Sequence, residues 1–390
     1  MRSSQIPGPD GGLLGYRNIM AFQHDPLDFL TRLTRTYGDI VHLRFGTQDI
    51  YFLTRPDFVQ EILVNQWQKL IKWERLKTGF LKVAPLNLVI LEGDIWQQTR
   101  RMTMPAFHQQ RLEAYVAAMS RHAGRISAQW QDGTSYAMNA FMTDAVMGVL
   151  GEVLFDIPHM AQTAPELAHA LDARLHIFMG DVRSIVQLPD WLPTPRNQQR
   201  RQVTETIRKH LMTMIQQRRQ TGQDTGDVLS ALMQAADPVS GKTFDDEEVY
   251  QLVLSFFMAG RETPVRALTW ALYLLAQHPA IQEQLYQEVA SAAPLTWDQL
   301  AAMPYLQQVV QETLRLYPPT WALVFRQVIE PVQLGEYSLP VGAVVYISPY
   351  VLHHDPRWWQ NPEQFNPANF SAGWQERVPA YAYVPFGGGA

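Results

Sequence analysis

The sequence predicts a mainly α fold with a small β-sheet, an α+β domain arranged around one long central helix. Three observations point there. Apolar residues recur at helical spacing through most of residues 94–219. A single run from Asp245 to His278 keeps a helical pattern without a stop. Alternating, strand-like runs are short and confined to the first and last quarters of the chain.

Composition supports one large globule. The 390 residues are 46% hydrophobic and 11% aromatic, which is enough for a large packed core. A disordered chain, a collagen-like repeat and a disulfide scaffold are excluded, and with no Cys these residues offer no thiolate chemistry. The balance of 32 basic and 37 acidic side chains is mild and dispersed, so no nucleic-acid partner is expected. No segment has the composition of a linker. Residues 1–390 are therefore expected to form a single domain, against the prior of two or three at roughly 150 residues each.

The N-terminus, with Pro7-Gly8-Pro9 and Gly11-Gly12, reads as an extended lead-in without the apolar region of a signal peptide. The longest apolar stretches, such as residues 252–258 with Ser255 inside, fall short of the ~20 residues that span a membrane. No membrane anchor is expected, and a cytoplasmic location is the default. Asp25-Pro26 opens an amphipathic segment, Leu27, Phe29, Leu30 and Leu33, that ends at Tyr37-Gly38 as a capped helix. Residues 40–45 and 50–53 read as a hairpin whose loop, Gly46-Thr47-Gln48-Asp49, exceeds the two-residue minimum. Helices follow near 94–104, 110–130, 138–155, 164–178 and 196–219. Residues 188–195, Leu-Pro-Asp-Trp-Leu-Pro-Thr-Pro, interrupt them as a mobile lid or a stiff connector. Asp245-Asp246-Glu247-Glu248 is a D-x-x-E capping box whose carboxylates suit the positive end of the helix dipole. The helix it starts would be about 50 Å long at 1.5 Å per residue, and hence mostly buried. Helices at 279–290 and 303–316 come next, then short strands at 332–337 and 343–347, and an irregular end rich in Pro, Trp and Phe.

Inside the long helix, Ala259-Gly260-Arg261-Glu262-Thr263-Pro264 breaks helix propensity twice. Gly costs ~1 kcal/mol against Ala, and interior Pro ~3 kcal/mol. Pro264 has no N–H, so the Gly260 carbonyl loses its helical partner, and a hydroxyl and a carboxylate lie beside it. The result is a polar notch in an apolar rod, or else a kink that serves packing alone. Glu312 and Arg315 share one helix face, and in isolation they read as an ordinary solvated pair. Trp96 and Arg100 also share a face and either hold an anionic group or simply stack. Asn361-Pro362 to Phe370 is turn-rich and aromatic. The chain closes on Pro385-Phe386-Gly387-Gly388-Gly389-Ala390, whose glycines permit close backbone approach to a flat or bulky group.

Taken in order and spacing, these elements resemble the cytochrome P450 family, the haem-thiolate monooxygenases, over essentially the whole chain. Ala259-Gly260-x-Glu262-Thr263 is similar to the family's oxygen-activating helix, Glu312-x-x-Arg315 to its buried core pair, and Pro362 to Phe370 to its aromatic meander. Phe386-Gly387-Gly388-Gly389 resembles the first half of its haem-binding loop. The resemblance implies haem b (iron protoporphyrin IX), O2, a hydrophobic small-molecule substrate, and electrons from a separate ferredoxin or flavoprotein reductase, because no flavin or nicotinamide domain fits in this length. Carried over position by position, Glu262 and Thr263 would relay protons to the activated oxygen, and Ala259 and Gly260 would leave room for it. Trp96, Arg100 and Arg326 would contact the haem propionates, a task suited to Arg's planar fork. Phe386, Gly387 and Gly389 would cradle the cofactor, and Glu312 and Arg315 would be structural. Phe256, Phe257, Leu323 and Val324 would line the substrate pocket, with core packing as the plainer alternative for each. Arg100, Arg101 and Arg111 offer a docking face for an acidic partner or a solvated helix surface.

Two departures stand out. Asn369 occupies the place where the family carries an Arg that joins the Glu-Arg pair. The family's Cys ligand would come shortly beyond Ala390, so none of these residues is expected to ligate the metal, and the remainder of the Cys loop and the following helix lie outside them. His353-His354 offer no substitute, because adjacent side chains diverge, and a surface or turn role is expected. A peroxide-driven peroxygenase of the same fold is the nearest alternative, but such enzymes replace the acid-alcohol pair with Arg-Pro, whereas Glu262-Thr263 is intact. A non-catalytic haem or apolar-ligand binding protein is the third reading, supported by the absent Cys and opposed by the same pair.

Overall fold

The computed structural model describes residues 6–183, 189–290, 296–322 and 324–389. Helix α1 (Pro26–Tyr37) starts on the Asp25 side chain, which accepts from the Asp28 N–H, and stops at Gly38 with φ 93°. It buries Phe29, Leu30 and Leu33, the face that the apolar spacing marks. Strands β1 (Ile40–Phe45) and β2 (Gln48–Leu53) pair antiparallel with Phe45 opposite Gln48. The connection is therefore a two-residue Gly46-Thr47 turn rather than the longer loop expected, with Gly46 at φ 65°. Gln48 and Asp49 belong to the strand although both are polar, which is why alternation alone starts it late. Strand β3 (Leu70–Lys72) carries too few residues to announce itself.

The middle of the chain supplies α2 (Gly93–Thr103), α3 (Gln109–Ser127), α4 (Met138–Phe155), α5 (Pro165–Arg183), α6 (Pro195–Thr221), α7 (Val228–Gln234) and α8 (Asp246–Gln277). All but the short α7 lie where the periodicity puts them, although α5 runs past residue 178. Leu171, Leu175, Ile207, Leu211, Val253 and Phe257 form part of their common core. Helix α4 is long and apolar enough to cross a membrane, with mean hydropathy 1.3, which a search for unbroken apolar runs passes over. It packs against α3 and α7. Leu188 of the predicted lid or connector lies outside the described residues. The remainder is tied to α6, where Asn197 Nδ2 donates to the carbonyls of Pro189 and Leu192 at 3.0 Å each, and Trp191 is 74% exposed.

The last third adds α9 (Pro279–Val289), α10 (Pro304–Leu316), β4 (Val324–Val328), β5 (Val332–Leu334), β6 (Tyr337–Leu339), β7 (Val344–Ile347) and α11 (Pro349–His353). The main sheet has the order β1-β2-β7-β4-β3, with β2 and β7 parallel and the other neighbours antiparallel. The single strand expected at 332–337 is instead the β5-β6 hairpin, which turns at Gly335 with φ 58°. The chain divides into two compact units. Unit 1 comprises Met1–Glu74, Trp270–Glu288 and Pro304–Ala390, and unit 2 comprises Arg75–Thr269 and Val289–Met303. Unit 1 holds the sheets and unit 2 holds α2 to α7 with most of α8. The helix-rich chain with a small sheet is the fold class that the sequence predicts.

Candidate active site

In unit 2 the site is built on α8. The Asp245 carboxylate accepts from the Glu248 N–H at 2.8 Å, and the Glu248 carboxylate accepts from the Asp245 N–H at 3.1 Å, so the reciprocal box is formed. Further along, the Thr263 hydroxyl donates to the Ala259 carbonyl at 2.9 Å, which leaves its oxygen lone pairs open. Pro264 lies inside the helix and gives the Gly260 carbonyl no N–H. A Cβ on Gly260 would meet Leu150 Cδ2 at 3.1 Å, so the glycine admits the close approach of that side chain, while the neighbouring Ala259 is exposed.

Glu262 is held more firmly than its position in sequence suggests. Arg266 donates to one carboxylate oxygen from Nε at 2.9 Å, and Arg261 donates to the other from Nη1 at 3.3 Å. Arg261 is itself buried and also grips Asp172 of α5. Phe256 meets Phe107 edge-to-face at 5.5 Å, whereas Phe257 is fully buried with its ring 6.3 Å from Phe155, a core position.

Helix α2 presents Trp96 and Arg100 together, with the Arg100 guanidinium 5.1 Å from the Trp96 ring and exposed. The helix is fastened from its other side. Asp237 accepts from Arg101 Nε at 3.2 Å, Gln98 Nε2 at 3.1 Å and the Ser240 hydroxyl at 2.6 Å. These bonds, that of Ser240 foremost, hold its carboxyl well below the usual carboxylate range. Arg111 is likewise committed, to Asp224 at 3.0 Å and the Asp227 carbonyl at 3.2 Å. Of the three arginines considered for partner docking, two are thus spent on the protein's own acceptors.

In unit 1, Glu312 and Arg315 of α10 are completely buried, not solvated. Two bonds of 2.7 Å join the pair, and Arg315 also donates to the carbonyls of His353 at 2.8 Å, Pro362 at 2.7 Å and Gln364 at 3.1 Å. All five guanidinium N–H groups therefore have acceptors. Asn366 N and Asn369 Nδ2 complete the set on Glu312, at 2.9 and 3.1 Å, so the neutral Asn369 hydrogen-bonds where a third charge was the family's pattern. Burial pushes the Glu312 carboxyl up, against the pull of Arg315. His353 is not at the surface as expected. It is fully buried, and its Nε2 accepts the Val384 N–H at 2.8 Å, which fixes the segment leading into Pro385-Phe386. No local signal distinguishes it from His354, because the burial comes from segments distant in sequence.

The terminal glycines are demanded chiefly by the protein itself. A Cβ on Gly389 would lie 1.8 Å from the Leu63 carbonyl oxygen, and one on Gly388 would lie 2.8 Å from the Tyr381 ring. Gly387 takes φ 77° with nothing near, beside a Phe386 that is 83% exposed, and the Thr320 hydroxyl holds the Pro385 carbonyl at 2.9 Å. Arg326 lies on β4, opposite Val345 of β7 and Lys72 of β3. Leu323 lies outside the described residues, and Val324 begins β4 opposite Ile347.

An acid, a hydroxyl and an orphan carbonyl on one long helix, together with a cation stacked on a tryptophan, suit an oxygen-activating haem protein. Comparison with known proteins gives the family. A model of the cytochrome P450 family matches residues 7–390. Cyclooctat-9-en-7-ol 5-monooxygenase of Streptomyces melanosporofaciens is 30% identical over 97% of this chain and 82% of its own length. Pentalenene oxygenase of Streptomyces avermitilis is 28% identical over 94% of this chain and 81% of its own. The solved structure of retinoic acid-bound cyanobacterial CYP120A1 superposes with TM-score 0.85 at 25% identity, covering 99% of this chain and 87% of that one. The chain belongs to the cytochrome P450 family. It is a monooxygenase of the kind that uses a haem iron, O2, a redox partner and a hydrophobic substrate.

Proposed function

We propose that the protein hydroxylates a terpenoid-sized hydrophobic substrate. In balance, substrate C–H, O2, two electrons and two protons yield the alcohol and one water. The carrying observation is the notch on α8, where the Thr263 hydroxyl is anchored to the Ala259 carbonyl beside a Pro-released Gly260 carbonyl. Haem b, when bound, supplies the oxygen activation. Trp96, Arg100 and Arg326 would hold its propionates, and Phe386, Gly387 and Gly389 would form part of its cradle. The exposed Ala259 and the exposed Arg100 fit a flat macrocycle with an anionic edge.

Thr263 Oγ, with its lone pairs free, accepts a hydrogen bond or passes a proton within the notch. Glu262 is the acid that resupplies it and must slip its bonds to Arg261 and Arg266 to do so. Phe256, Leu323 and Val324 complete the substrate side of this reading, Phe257 being a core residue, and Glu312 and Arg315 the structural side. A ferredoxin or flavoprotein reductase donates the electrons, and the protein works in the cytoplasm. The terpenoid class rests on the names of the Streptomyces relatives. The intact Glu262-Thr263 pair favours reduction of O2 over use of peroxide. Turnover under isotopically labelled O2 with a ferredoxin-type donor tests this, with one labelled atom expected in the product. Label arriving only from added peroxide would replace the monooxygenase reading with the peroxygenase one.

A further inference from the structure

Arg174 has no part in the reaction above, yet it is one of the most deeply placed cations in unit 2. It lies on α5 with 1% exposure, one turn from Leu171 and Phe178 on the apolar face. Nη2 donates to the Lys82 carbonyl, while Nε and Nη1 are shut from solvent without an acceptor. The acids nearby are already spent. Asp181 accepts from Arg200 at 2.8 Å and from Arg196 at 3.0 Å, and Asp190 is shared by Arg200 at 2.8 Å and Lys82 at 3.2 Å. Among the described residues of this cluster, Lys82, Arg174, Arg196 and Arg200 share Asp181 and Asp190, and Arg174 alone makes no direct contact with either, although both lie close enough to act on its charge. Burial lowers its pKa to about 10, so it remains charged at neutral pH. A water would satisfy an N–H but add no counter-charge to a cluster in which four cations share two carboxylates.

We propose that Arg174 anchors the carboxylate of an otherwise apolar ligand, so that the preferred substrate is an apolar chain ending in an acid. The inference rests on the monooxygenase reading for what becomes of that ligand, but not for its binding. The surroundings suit it, because Leu171, Leu175, Phe178 and Tyr250 belong to the buried apolar cluster of the same unit. A charged guanidinium offering two open donors is matched by a carboxylate, which accepts charge-assisted bonds and neutralises the site at once.

The test titrates the purified holoprotein with farnesoic acid, methyl farnesoate and farnesol, read by calorimetry and by the shift of the haem Soret band. The wild type is expected to bind the acid about tenfold or more tightly than the ester and the alcohol, as a charge-assisted bond warrants. Arg174→Gln is expected to lose that preference while binding the two neutral probes as before, and Arg174→Lys to keep part of it. A wild type without preference for the acid, or an Arg174→Gln protein weakened equally toward all three, overturns the proposal and leaves Arg174 as a tie between α5 and the segment at Lys82. Where Arg174→Gln does not fold, Arg174→Lys decides: selective weakening toward the acid supports the anchor, and uniform weakening or no change overturns it. A preparation that binds no haem but still prefers the acid by calorimetry would sink the monooxygenase reading and leave the anchor standing.

Discussion

His353 receives the Val384 N–H on a ring nitrogen that no water reaches, and burial lowers its pKa to about 3. In the unfolded chain the same ring titrates near 6.5, so below that pH the unfolded state takes up a proton that the folded state refuses. This contribution to stability is complete above about pH 6.5 and is lost as pH falls toward 3, at about 1.4 kcal/mol per unit. Denaturant titrations at pH 7 and pH 5 are expected to differ by about 2 kcal/mol on its account, and His353→Gln to flatten that difference. An undiminished slope in the variant would assign the acid sensitivity elsewhere. At Thr263 the effect is on chemistry instead. Removing a positioned proton-transfer group typically costs 10²–10⁴, and Thr263→Ala is expected to lower product formed per O2 consumed by about tenfold or more while O2 uptake continues. Unchanged coupling would remove Thr263 from the relay.

At the scale of elements, α8 shows what can be read locally. Its start is a reciprocal cap between residues three apart, and its defect is a Pro that cannot donate, so both follow from neighbouring residues alone. Asp245→Ala is expected to cost about 1 kcal/mol, measured by thermal or denaturant unfolding, and no loss would mean that tertiary packing alone fixes the helix start. Strands β3 and β4 were not legible, because what makes them strands is mutual pairing across more than 250 residues of sequence. The pair on α10 was legible as residues but not as energetics. Glu312 and Arg315 look solvated until the carbonyls of His353, Pro362 and Gln364 and the amide of Asn369 close over them. Arg261 was hidden for the same reason, since its partner Asp172 comes from another helix.

Across the whole molecule, the order and spacing of weak motifs carried more than any one of them, and the family match over residues 7–390 is the outcome. The division into two units was not legible, because unit 1 is assembled from three separated stretches of chain. The polar cluster inside unit 1 binds α10, α11 and the turn-rich segment at 362–369 together, and its removal is a global event. Glu312→Ala leaves a buried guanidinium without its counter-charge, with an expected cost of about 3–5 kcal/mol and loss of haem retention. A variant of normal melting temperature and full haem content would show that the neighbouring carbonyls suffice for Arg315. The central claim, that this chain is a haem monooxygenase, is tested most directly by the absorption spectrum of the purified protein after reduction and addition of carbon monoxide, read together with its haem-to-protein ratio. For the protein carrying the Cys loop that the family pattern places after Ala390, one haem per chain with the red-shifted Soret band of a thiolate-bound haem is the predicted result. A protein that retains no haem, or whose band is that of a histidine-bound haem, would contradict it.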